Sequence, residues 1–244
     1  MRPGCLGLLA ALAVAATLFA PASAQGVFTA IREFYMIRDR GGDVSRIQTV
    51  VSQLAAGYPS CKPDTRKSIR NQVDKGLQKK DHAFEFYRGC ADFLCGIGKQ
   101  GLNKVSKRYS ASKRTHAVRL AIAESLTECN KPAAMGILLK ISFDKYPPVA
   151  AQGIRGVGAY YKCKQEKRKA TMKKLIDRYK KVTSAARGKK PDSKELKLYQ
   201  AVKPALDETL KKLSNGEELD SFEAWASWLS ENMTTTWPKP EDMD

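Results

Sequence analysis

Apolar residues recur three and four positions apart through most of the chain, and each run is closed by a glycine, proline or asparagine signal. Phe28, Ile31, Phe34, Tyr35 and Ile37 form the first stripe, which Gly41-Gly42 ends. Ile47, Val50, Val51 and Leu54 form the second, with Asp43 placed to cap it and Gly57-Tyr58-Pro59 to terminate it. Beyond Cys61-Lys62-Pro63, a helix that Asp64 or Thr65 can cap carries Ile69, Val73 and Leu77 inward. One helical pair is expected from Asp81 to Ser110, and another from Arg114 to Ser142, broken at Cys129-Asn130-Lys131-Pro132. Pro147-Pro148 opens a helix with Val149, Ile154, Val157, Tyr160 and Tyr161. Its partner, Glu166 to Val182, sets Met172, Leu175, Ile176 and Tyr179 against a face of lysines and arginines. A loop over residues 185–191 precedes a longer helix from Lys194 to Leu213. A terminal helix from Asp220 to Asn232 carries Phe222, Trp225 and Trp228. No run alternates as a strand would, so the chain reads as all-α.

These pairs repeat. Cys61, Cys95, Cys129 and Cys163 stand 34 residues apart, and so do His82 and His116, each followed by Ala. At twice that spacing Val50 matches Val118, Leu54 matches Ile122, Ile69 matches Ile137 and Val73 matches Ile141, while Ala55, Gly89, Ala123 and Val157 form a column of small or modest side chains. The segment Val118-Arg119-Leu120-Ala121-Ile122-Ala123-Glu124-Ser125-Leu126 resembles HEAT-type repeats, and Val149 to Gly158 is similar at an offset of 31 residues. Over residues 43–183 the resemblance implies a short α-solenoid of antiparallel helical pairs and no particular activity. A tetratricopeptide array is the rival, to which Val157, Gly158, Tyr161 and Ala170 conform, although other units lack its Trp, Gly and Pro positions. The expected layout is a capping helix over residues 25–42, helical repeats over 43–183, a loop over 184–193, C-terminal helices over 194–232 and an acidic tail over 233–244.

Residues 1–24 read as a secretory signal peptide. Arg2 precedes an apolar run from Leu6 to Ala20, and Ala22-Ser23-Ala24 forms a small-residue cleavage site. The mature chain is therefore expected in the periplasm or outside the cell, with no transmembrane segment. Charge is uneven along it. Residues 25–216 hold 41 basic against 17 acidic side chains, whereas from Glu217 onward there are eight acidic residues and Lys239 is the single basic one. Such a body attracts polyanions, and export favours an envelope polymer or a protein partner over nucleic acid. The stretch with the densest positive charge and aromatic rings comprises Tyr160, Tyr161, Lys162, Lys164, Lys167, Arg168, Lys169, Lys173, Lys174 and Arg178, and is a candidate binding face. Trp237 is a second candidate, as an exposed indole for a sugar or peptide. Trp225 and Trp228 suit the last inter-helix groove.

Five cysteines follow the signal segment. The periodic four fall at helix-pair turns, so Cys61 with Cys95 and Cys129 with Cys163 are candidate disulfides, with reduced, buried thiols as the alternative. Gly96-Ile97-Gly98-Lys99-Gln100-Gly101 spells G-x-G-x-x-G but falls on a helix-pair turn without the strand that a dinucleotide site requires. His82, Cys90 and Cys95 lack a metal-ligand spacing. No catalytic, metal or cofactor residue is assigned. The reading is an exported, non-enzymatic helical-repeat scaffold with a basic surface for a protein or polyanionic envelope partner. The alternative is a HEAT-like enzyme or accessory acting on nucleic acid or another polyanion.

Overall fold

The computed structural model describes residues 24–113 and 115–237; the segment expected to be a signal peptide, up to residue 23, and the end of the acidic tail lie outside the described residues. Among the described residues there are eleven α-helices, two 3₁₀ turns and no strand. The helices are α1 (Ala24–Arg40), α2 (Ile47–Gly57), α3 (Pro63–Gly76), α4 (Phe84–Gly96), α5 (Lys99–Ala111), α6 (His116–Glu128), α7 (Pro132–Ile141), α8 (Pro147–Gly158), α9 (Gln165–Ala186), α10 (Ser193–Ser214) and α11 (Phe222–Asn232). None is long and apolar enough to cross a membrane.

Local chemistry sets most boundaries. Gly41 takes φ +68° beyond α1, where an L side chain would be strained. Prolines occupy the first turn of α3, α7 and α8, where a missing N–H costs nothing. No side chain caps α3, so neither Asp64 nor Thr65 takes that role, and Pro63 begins the helix instead. Asp192 caps α10 in a reciprocal box with Glu195, and Asn215 in the left-handed conformation closes it. The Ser221 hydroxyl accepts the Ala224 N–H to start α11.

The helices pack as an array of near neighbours. α2, α4, α6, α8 and α10 form one row, each against the next, while α3 meets α5, α5 meets α7, and α9 meets α11. The two rows are joined by pairs that are close in sequence, such as α7 with α8 and α9 with α10. A single apolar cluster runs from Val27 to Trp237. Of the periodic columns, Val50, Val118, Leu54, Ile122, Val73 and Ile141 are buried, and Ile137 is half-buried. Ala55 is exposed, against expectation: α2 packs on both α1 and α4 and leaves this position to solvent. The array also extends past the expected boundary at residue 183. α10 packs on α8 as the next member of its row, and Trp225 on α11 is fully buried.

The glycines of α8 mark its closest approaches. A Cβ at Gly156 would sit 2.5 Å from Thr127 Oγ1 and 2.6 Å from Leu138 Cδ2, and one at Gly153 would sit 2.7 Å from the Ser142 backbone nitrogen. Backbone cannot yield as a flexible side-chain end can. Gly153→Ala is therefore expected to destabilise the protein by about 1–3 kcal/mol. Gly136→Ala on α7, where a Cβ meets nothing within 4 Å, should stabilise it by about 0.5–1 kcal/mol. Urea unfolding of the two variants beside the parent checks the opposite signs.

Candidate anion-binding cleft

The turn between α7 and α8 carries a carboxylate with no exposure to solvent. The Asp144 side chain forms an ion pair with Arg119 of α6, accepts the Tyr109 hydroxyl of α5 at 2.6 Å and accepts the Tyr146 backbone N–H at 2.8 Å. Its backbone oxygen accepts Arg178 of α9 at 3.0 Å. Burial pushes the Tyr109 phenol above its ordinary range, which keeps it protonated and donating to the carboxylate. Three helices, α5, α6 and α9, thus converge on this one turn.

Above it opens a cleft of about 730 Å³. Its walls include Lys113, Lys140, Lys145, Lys194 and Lys197, with Arg119 at the base. Lys113, Lys145, Lys194 and Lys197 are exposed, while Lys140 donates to the Ser110 hydroxyl at 2.8 Å. Among the described residues Asp144 is the single carboxylate in the lining, and Arg119 already neutralises it. His116 stacks on Tyr146 with ring centroids 3.9 Å apart and planes 12° apart, and Phe143 presents a 42% exposed side chain beside them. Cationic donors over flat rings suit phosphate, sulfate or carboxylate groups on an extended ligand.

The candidate face on α9 is divided by the fold. Lys162, Lys164, Lys167, Lys173 and Lys174 are exposed, and Lys167 donates to the Pro132 oxygen at 3.1 Å. Arg168, Lys169 and Arg178 are buried. Tyr160 and Tyr161 are half-buried, and the Tyr160 hydroxyl donates to the Leu126 oxygen at 2.8 Å.

Trp237 is not the exposed indole expected from its surroundings. It is 5% exposed, its ring lies 5.3 Å from Trp228, and the Arg168 and Lys169 cations stand 5.4 and 5.1 Å from its centroid. Lys169 also donates to the Met233 and Thr235 oxygens at 2.7 Å, and Arg168 to the Asn215 side chain at 2.5 Å. Two of the charges assigned to binding thus hold the end of the chain against α9.

All five described cysteines are free thiols, and Cys95, at the end of α4, has Cys129 of the neighbouring pair among the groups that act on it. The Cys61 thiol turns back to the Gly57 oxygen of its own turn at 3.4 Å. Cys163 loses its partner to register: α8 begins 31 residues after α6, so the position equivalent to Cys129 is Tyr160, whose hydroxyl lies 3.5 Å from the Cys129 sulfur. At the G-x-G-x-x-G run, Gly98 (φ +86°) precedes α5, and a Cβ at Gly101 would collide with the Leu94 oxygen, so these glycines serve a tight turn. His82 stacks on Phe86 and its Nε2 meets the Arg38 oxygen at 3.0 Å.

The cleft lysines escaped the sequence reading because they are spread from residue 113 to residue 197 and form no local run. The available signal was positional. Successive turns of a repeat array gather along one edge, and Lys113, Lys145 and Tyr146 all lie at inter-helix turns.

No family model, curated protein or solved structure matches the chain. What the coordinates define is an all-helical protein of eleven helices that pack chiefly on near neighbours, among the described residues.

Removing the buried carboxylate leaves Arg119 unpaired at the base of the cleft. Asp144→Ala is expected to cost about 3–5 kcal/mol, whereas Lys145→Glu at the rim should stay within about 0.5 kcal/mol of the parent. Thermal and urea unfolding of both variants measure the difference.

Proposed function

We propose that the chain is an exported, non-enzymatic scaffold of HEAT-like helical repeats that holds an anionic polymer in the cleft above Asp144. One observation carries this reading: five lysines and an aromatic platform border a cleft whose single carboxylate is neutralised from within. An acidic side chain free to face the ligand would repel it, and none lines this cleft among the described residues. The helical array supports the scaffold part of the reading, since stacked pairs present long, continuous surfaces. Their turns bring Lys113 and Lys145 to one place. The leader-like pattern of residues 1–24 supports an envelope polymer, carboxylated or phosphorylated, as the ligand.

The rim lysines lack buried partners, so their contribution is long-range and screened by salt. Fluorescence anisotropy with a labelled anionic polysaccharide tests this. Affinity should fall steeply between low and physiological salt, and joint charge reversal at Lys113, Lys145, Lys194 and Lys197 should weaken binding by about tenfold or more. Reversal at the exposed α9 residues Lys167 and Lys174 should have a much smaller effect. Equal losses from the two sets, or binding indifferent to salt, would remove the cleft from the proposal.

A further inference from the structure

Cys95 is the penultimate residue of α4, and Cys129 directly follows α6. Lys131, two residues past Cys129, donates its ammonium to the Gly96 oxygen at 2.6 Å. That contact clamps the α4–α5 turn to the α6–α7 turn across two helices that pack together, and it places Cys95 and Cys129, each within two residues of it, on the same edge of the array. The next pair carries an equivalent clamp, Lys167 on the Pro132 oxygen, but there the Tyr160 hydroxyl is the group beside the Cys129 sulfur.

The two sulfurs differ in their surroundings. Cys95 is 1% exposed, whereas Cys129 is half-buried and reachable from solvent. The Cys129 sulfur is approached by the Cys95 thiol, the Tyr160 hydroxyl and the Lys131 backbone N–H, with the Lys131 ammonium close by. Donation from the Cys95 thiol and the Lys131 backbone N–H holds the Cys129 thiol below the ordinary range, while donation to Cys129 and burial hold Cys95 well above it. Cys90, in the same helix, is wholly buried against the α3 end, where a Cβ at Gly76 would meet its sulfur at 2.8 Å.

We propose that Cys95 and Cys129 are a redox pair that closes a disulfide between neighbouring helical pairs, with Cys129 as the entering nucleophile and Cys95 as the resolving thiol. The co-reactant is a disulfide, either of a small thiol or of a protein oxidoreductase. The Cys129 thiolate attacks one sulfur of that disulfide, forming a mixed disulfide and expelling the first thiolate. Cys95 then gives up its proton and attacks the Cys129 sulfur, forming the internal bond and expelling the second. Two electrons pass to the external disulfide, which leaves as two thiols after taking up the two protons. The bond would lock α4 to α6 at one edge of the array. It is independent of the anion-binding reading, since neither cysteine lines that cleft.

The experiment is peptide mapping of the full-length chain after equilibration with oxidised glutathione, followed by alkylation under denaturing conditions. Six thiols in the reduced chain should fall by two, with residue 95 linked to residue 129. Cys90 and Cys95 share the tryptic peptide 89–99, so fragment ions must place the link on Cys95. In Cys95→Ser the attack stops halfway, and glutathione should remain attached to Cys129. In Cys129→Ser, Cys95 should stay unmodified. Full alkylation of Cys95 and Cys129 in the parent after oxidation, or a link from either to Cys61, Cys90 or Cys163, would overturn the proposal. So would glutathione attachment at Cys95 in preference to Cys129.

Discussion

No helical pair in this chain can cover its own apolar surface. Ala121, Ile122 and Ala123 of α6 are all fully buried, as are Val149 and Ala150 of α8, with Ala151 close to it. Consecutive helical residues point about 100° apart, so three in a row cannot all face one partner. Helices in this row need cover on several sides, and α6 obtains it from α4, α7 and α8. Each large aliphatic side chain sheltered this way contributes roughly 1.5–3 kcal/mol relative to exposure. Because that shelter comes from the next unit, stability is a property of the row and not of any one pair. α9 shows the opposite case: Met172, Leu175, Ile176 and Tyr179 are buried, while Lys173, Lys174 and Lys180 face outward.

Apolar cover alone would let neighbouring units slide. Polar contacts about one repeat apart fix their register. Arg38 reaches the Gln72 side chain at 2.8 Å, Arg108 pairs with Asp74 at 3.1 Å and Arg178 reaches the Asp144 oxygen, each across 34 residues. Buried ionic groups are costly to desolvate and add little net stability when satisfied, but they penalise a misaligned neighbour strongly. At Asp144 this device also shapes the surface chemistry. By placing its negative charge inside, paired with Arg119 and hydrogen-bonded to Tyr109, the fold leaves the surrounding lysines as the field that a ligand meets.

The periodic features of the fold were legible in the sequence because they are local. Stripes such as Val50 and Leu54 and stops such as Gly41 and Asn215 each follow from a few neighbouring residues. The cleft was not legible because its lysines come from four helices and turns that meet only after the array forms. Charge density in the sequence pointed to α9 instead. There Arg168 and Lys169 turned out to grip the chain end through Trp237, which a count of charges cannot distinguish from a solvated face. The cysteines show a different limit: the 31-residue offset of α8 was visible beside the 34-residue cysteine spacing, but only the packed helices show that it places Tyr160 beside Cys129.

The most direct measurement is amide hydrogen exchange on a chain ended at residue 192, which lacks α10 and α11. α8 then loses its next neighbour in the row, including the Thr209 hydroxyl that donates to the Ile154 oxygen at 3.0 Å. Mutual cover predicts that α8 amides lose most of their protection, with the loss declining toward α2. Unchanged protection in α8 would mean that the pairs stand alone, and would contradict the account.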